Sequence, residues 1–159
     1  MSEDVKDYIN NVLDERRQEF GGKAVCPFAA PEIRANKLMI AEVGDKSLLE
    51  LIDELVASNY ESALFIIKED IPAEQTKKFQ RFVNRLLKQR GLKDYKNICF
   101  NPKDNVGIDG YNPRSLAPYF MVNIANREVL SKGHRALKKT NYYDKFPENY
   151  KKFLNLKDK

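Results

Sequence analysis

Two short apolar runs, each followed by an amphipathic stretch, constrain this chain more than any other feature. Residues 38–43, Leu-Met-Ile-Ala-Glu-Val, and 63–67, Ala-Leu-Phe-Ile-Ile, are the length and composition of buried strands. After the first, Gly44-Asp45 turns the chain, and Ser47-Leu48-Leu49-Glu50 has the spacing of a capping box. Leu48, Leu51, Ile52, Leu55 and Val56 then form a helical stripe. After the second run, Asp70 and Pro72 suit a helix start, because proline's missing N–H is lost cheaply in the first turn. The helix is predicted to reach about residue 90, with Phe79, Phe82, Val83, Leu86 and Leu87 on its apolar face and Gly91 just beyond. Residues 97–100 read as a third strand and 119–125 as a fourth.

Strands alternating with helices of this length predict an α/β fold: one small sheet of about four mostly parallel strands with crossover helices. The fourth strand fits an antiparallel edge, and the sheet order is not readable from sequence. Ahead of the sheet, Val5, Tyr8, Ile9, Val12, Leu13 and Phe20 have helical spacing, so one N-terminal helix is expected up to Gly21-Gly22. Residues 23–36 read as irregular, and 131–140 as a short helix. Residues 1–140 are expected to form one α/β domain, followed by a basic, aromatic segment at 141–159 that packs on it or extends from it.

Composition narrows the function classes. The 159 residues carry a formal +5, unevenly spread: residues 132–159 hold nine Lys/Arg against three acids, a net +6, and the remainder is close to neutral. The start is acidic and no apolar leader follows, and no run approaches the ~20 residues of a membrane span. With only Cys26 and Cys99, the expectation is reduced thiols in the cytoplasm and no membrane partner. Two cysteines and one histidine, without CxxC or HExxH spacing, disfavour a transition-metal site. No GxGxxG, Walker or nucleophile-elbow pattern occurs, so nucleotide and α/β-hydrolase chemistry lack support, and the cofactor, if any, is unknown at this point.

Three regions carry candidate chemistry. Cys26 precedes Pro27, which would suit the first position of a short helix and leave the thiol near its positive end. That setting favours thiolate and makes Cys26 a candidate nucleophile, although burial between Val25 and Phe28 would leave it as plain packing. His134 is a candidate base for it; flanking Lys132 and Arg135 argue instead for an exposed basic helix. A Cys26–Cys99 redox pair would require the fold to bring the two together. The loop 101–118, with three prolines and two glycines, starts at a strand's carboxyl end and carries Tyr111, Asn112, Arg114 and Ser115. Loops of that length inside a compact domain are often functional, and an arginine beside turn amides can hold a carboxylate or phosphate. Arg114 is equally placed to pair with Asp104 or Asp109. Lastly, Lys138, Lys139, Lys151 and Lys152 are interleaved with Tyr142 and Tyr143. Bases with aromatics can track a phosphate backbone and stack on nucleobases, or the rings can pack on the body while the lysines stay solvated.

Cys26-Pro27-Phe28-Ala29 resembles the CPFA signature of a bacterial family without an established activity, catalogued as domain of unknown function fourteen-fifteen. Phe100-Asn101-Pro102, Asn112-Pro113-Arg114-Ser115, Pro118 and Arg127-Glu128 match its later motifs, so the likeness spans about residues 24–137. Asn101 stands where that family has histidine, so no imidazole mechanism carries over there, and three extra residues separate Pro118 from Arg127. The resemblance implies a shared fold and a site joining Cys26 with Arg114 and Arg127; Asn101 is a further ligand-binding candidate. Taken together, the expected function is a small enzyme or ligand-binding protein for an anionic small molecule, sited between the Cys26 segment and the 101–118 loop. Arg114 would grip the anion, and Asn112 and Ser115 would orient it. The alternative is an interaction module whose basic C-terminal segment binds nucleic acid or an acidic protein. Oligomeric state is open.

Overall fold

A computed structural model describes residues 3–104 and 107–148. It contains a four-stranded sheet of β3 (Leu38–Glu42), β4 (Ser62–Ile67), β5 (Tyr95–Phe100) and β6 (Phe120–Asn126), in spatial order β3-β4-β6-β5. It also contains a two-stranded ribbon, β1 (Arg16–Arg17) antiparallel to β2 (Lys23–Ala24). The helices are α1 (Glu3–Tyr8), α2 (Ala29–Arg34), α3 (Leu48–Ala57), α4 (Thr76–Gln89) and α5 (Arg127–Lys138).

The α/β class is as expected, but the expectation of mostly parallel pairing needs correction. Only β3 and β4 pair in parallel, joined by the α3 crossover. β6 runs antiparallel to both β4 and β5 and lies between them. β3, β4 and β5 therefore still point one way, yet two of the three ladders are antiparallel. Nor is the last strand an edge. Its Phe120, Met121, Val122, Ile124 and Ala125 are buried because they fill the gap that the α4 crossover leaves between β4 and β5.

The sheet is covered on both faces. Ala63, Phe65, Ile67, Cys99, Val122 and Ile124 alternate toward Leu51, Ile52 and Leu55 of α3 and Val83 and Leu87 of α4. Leu64, Ile66 and Met121 face the other way, onto Val5, Tyr8, Ile9 and Ala30. β4 is buried along its whole length, which is why its sequence reads as a continuous apolar run. The capping box forms: Glu50 N–H donates to Ser47 Oγ at 3.1 Å, and the Glu50 carboxylate accepts from Ser47 N–H. On the predicted stripes, Val56 and Phe82 end up 44% and 43% exposed. Both sit at the rim of their helices' contact with the sheet.

The N-terminal helix is shorter than its spacing predicts. α1 continues as one π-helical stretch, Ile9–Leu13, and then stops. The chain then forms the β1–β2 ribbon, and Phe20 falls in a 3-10 turn, Gln18–Phe20, before Gly21 and Gly22 at φ +65° and +78°. Phe20 serves a separate small core with Val25, Leu137, Tyr142 and Tyr143. A residue at helical spacing is thus recruited by the end of the chain rather than by the sheet. Within the stretch read as irregular, β2 and α2 form.

Candidate functional site at the seam of Cys26 and the 101–118 loop

The ribbon fixes where the Cys26 segment lies. Val25 N–H donates to Glu15 O at 3.0 Å and Cys26 N–H to Leu13 O at 2.8 Å, so the chain runs beside the end of the N-terminal helix. α2 starts only at Ala29, so Pro27 lies ahead of the helix rather than in its first turn. The Phe28 and Ala29 amides lie on the Cys26 side of α2 and favour a thiolate there. Burial nevertheless dominates and pushes the thiol pKa up; those two amides pull it down, and Glu32 nearby raises it. At neutral pH Cys26 is a protonated thiol. Cys99, buried in the opposite core, is pushed up to about 12 by burial, with Asp104 adding to the shift and Arg114 opposing it. Both thiols are free.

The 101–118 loop is folded by its own polar groups. Asn101 is buried and ties the loop to the start of α4: its Nδ2 donates to Ile71 O at 2.9 Å and Thr76 Oγ1 at 3.0 Å. Its Oδ1 accepts from Lys103 N–H at 3.0 Å. Thr76 Oγ1 in turn donates to Asp104 Oδ1 at 3.0 Å. Asp104 is the hub of the loop. Its backbone carbonyl accepts from Asn112 Nδ2 at 2.9 Å, and its Oδ2 lies 3.7 Å from Arg114 Nη1. Of the two partners open to Arg114, Asp104 is the one it meets. The guanidinium also lies 5.2 Å from the Phe100 ring centroid, within cation–π range, with the Arg114 side chain 30% exposed. Ser115 Oγ donates to Asn112 O at 2.7 Å. Among the described residues, Asn112 Oδ1 is buried with no hydrogen-bond partner, an arrangement that costs about 1–3 kcal/mol.

Tyr8 joins the two segments. Its hydroxyl donates to Pro113 O at 2.8 Å, 105 residues along the chain. Burial raises the Tyr8 pKa, with Cys26 and Tyr111 adding to the shift and Arg114 opposing it. Cys26, Tyr111 and Arg114 are therefore all within electrostatic range of one buried phenol. The loop's tip is a two-residue turn, Asp109-Gly110, with both residues at positive φ, closed by the Ile108–Tyr111 bridge. It packs on the ribbon: Arg17 Cζ sits 3.6 Å from the Tyr111 ring centroid, and Phe20 meets Tyr111 edge-on. Sequence reading missed Tyr8, which looked like one more apolar position, and Arg17. The Asp-Gly pair was the available signal for the turn.

The other candidates divide: Arg127 lies apart, whereas α5 at Gly133 and residues 142–143 pack against Val25 and Phe28, on either side of Cys26. Arg127 opens α5, where its Nε donates to Lys93 O at 3.0 Å. The length of β6 separates it from Arg114, about 20 Å. His134 Nδ1 is 2.5 Å from Tyr143 Oη. Tyr142 and Tyr143 are 7% and 8% exposed, and the Tyr142 hydroxyl donates to Val25 O at 2.5 Å. Both rings are packed against each other and Phe146 rather than presented to a partner. Lys139 is exposed while Lys138 is half-buried, and Lys151 and Lys152 lie outside the described residues. Among the described residues, no cluster of His, Cys, Asp and Glu could hold a metal, and no helix is long and apolar enough to cross a membrane. No protein-family model, curated protein or solved structure matches the chain.

Proposed function

We propose that the protein binds a small anionic molecule that also carries a hydroxyl or other hydrogen-bond donor, at the seam where the 101–118 loop meets the Cys26 segment. The observation that carries this is the buried, unpaired Asn112 Oδ1 two residues from the partly exposed Arg114 guanidinium. Both side chains converge on Asp104. A 3.7 Å pairing leaves guanidinium donors for an incoming carboxylate or phosphate, and the orphaned oxygen is an acceptor waiting for a proton donor. A hydroxy acid or a singly protonated phosphate offers both groups. Cys26, held as a neutral thiol, serves as a wall of the seam. A chemical step at Cys26 requires a base to take its proton, and binding is the activity this geometry favours.

The test is thermal unfolding by circular dichroism in inorganic phosphate or glycolate, against sodium chloride at matched ionic strength. A ligand at ten times its Kd stabilises the fold by about 1.4 kcal/mol, a rise of several degrees in a domain of this size. Arg114→Gln, itself folded, should lose that rise. The reading fails if neither anion exceeds chloride in the wild type, or if Arg114→Gln responds as the wild type does.

A further inference from the structure

The two edges of the sheet are treated differently. At the β5 edge, Cys99 N–H donates to the Gln80 side chain at 3.1 Å, and Asn97 Nδ2 donates to Gln80 O and to the Asn84 side chain. Side chains and backbone of α4 thus occupy that edge. At the β3 edge nothing comparable happens. Val43 N–H donates to Ile66 O, and Lys37 O accepts from Glu61 N–H. With the parallel register Glu42↔Ile66, the odd-numbered peptide groups therefore face β4. The N–H and C=O groups of Leu38, Ile40 and Glu42 point outward, and among the described residues they have no backbone partner. Leu38, Met39, Ile40 and Ala41 are each only half-buried. Proteins commonly blunt such a bare apolar edge with charge, proline or a covering element.

We infer that β3 is a dimerisation edge, pairing antiparallel with β3 of a second copy of this chain about a two-fold axis through Ile40. The register follows from which groups point outward. Ile40 meets Ile40, and Leu38 meets Glu42 in both directions, so each outward N–H finds a carbonyl and two four-stranded sheets become one of eight strands. A two-fold contact must be self-complementary, and the charges at the two ends of β3 meet that condition. Arg34, exposed at the end of α2, and Lys37, which pairs with Glu61 at 2.9 Å, precede the strand. At its other end, Glu3, Asp4, which accepts from Tyr119 Oη, and Glu42, which pairs with Lys68 at 3.5 Å, line a groove of about 350 Å³ together with Ile40. The antiparallel arrangement sets the basic end of each copy beside the acidic groove of the other. The Ile40 side chains meet on the α1 side of the sheet.

Light scattering with sedimentation across 1–100 µM full-length protein tests this. Wild type should show about twice the 18.5 kDa chain mass. Ile40→Pro should be a monomer with unchanged far-ultraviolet spectrum, because the N–H it removes faces outward and proline is tolerated on edge strands. Arg34→Glu and Glu42→Arg should each weaken the dimer at least tenfold. A wild type monomeric throughout overturns the inference, as it would if the edge receives an extended peptide of another protein instead. A dimer that survives Ile40→Pro with unchanged affinity, or single charge reversals without effect, overturns the assigned surface.

Discussion

Gly21→Ala and Gly22→Ala, one residue apart, separate backbone conformation from tertiary contact. Both glycines have left-handed φ, +65° and +78°. Alanine in that region costs about 1–2 kcal/mol, and at Gly22, where an added Cβ meets nothing within 4 Å, that is the whole effect. At Gly21 the same Cβ would lie 2.5 Å from both the backbone carbonyl and the side-chain oxygen of Asn141. A backbone oxygen cannot be relieved by a rotamer change. Asn141 must move, and Tyr142 and Tyr143, which close the small core over Phe20, move with it. Overpacking of this kind adds about 1–3 kcal/mol. Gly21→Ala should therefore lose roughly 2–5 kcal/mol against about 1–2 for Gly22→Ala, or roughly 5–15 °C in Tm for the former. Urea unfolding followed by far-ultraviolet circular dichroism measures both. The near-ultraviolet signal, which comes from tyrosine and phenylalanine in a chain without tryptophan, reports the docking of Tyr142 and Tyr143. Equal losses for the two variants would refute the account, since they would show that residues 141–146 do not pack on the ribbon.

Burial holds the Glu32 carboxyl above the ordinary glutamate range, against the opposing hydrogen bond from Ser62 Oγ. A raised acid pKa adds stability below the unfolded value that is lost as pH rises through the folded one. Stability should therefore fall as pH climbs out of the ordinary glutamate range, and Glu32→Gln should flatten that slope; a wild-type slope of the opposite sign in this window counts against it. Both thiols have raised pKa values, so iodoacetamide at pH 8 should label the native protein at least tenfold more slowly than glutathione, with two groups exposed in urea. Rapid labelling of Cys26 in the native state would instead mark it as an activated nucleophile.

Local signals identified the elements, and their physical basis is local. The capping box at Ser47 and Glu50, the apolar run of β4 and the stop at Gly91 each depend on residues within one turn or one strand. The four strands of the main sheet and the α/β class follow from those signals, whereas the β1–β2 ribbon does not. Pairing order does not, because the insertion of β6 between β4 and β5 is decided by which apolar faces can be buried together, a choice among segments about 60 residues apart. The same reason explains Phe20, whose spacing matched a helix while its burial depended on Tyr142. At the candidate site, sequence brought Cys26, Asn112 and Arg114 into view as residue types. Tyr8 was invisible as their common neighbour, since only the folded chain carries its hydroxyl to Pro113. Composition and periodicity determine what each segment can become. Which segments meet, which polar atom is left unpaired and which sheet edge stays open are properties of the packed whole, because burial and hydrogen-bond satisfaction are settled only when distant segments compete for the same space.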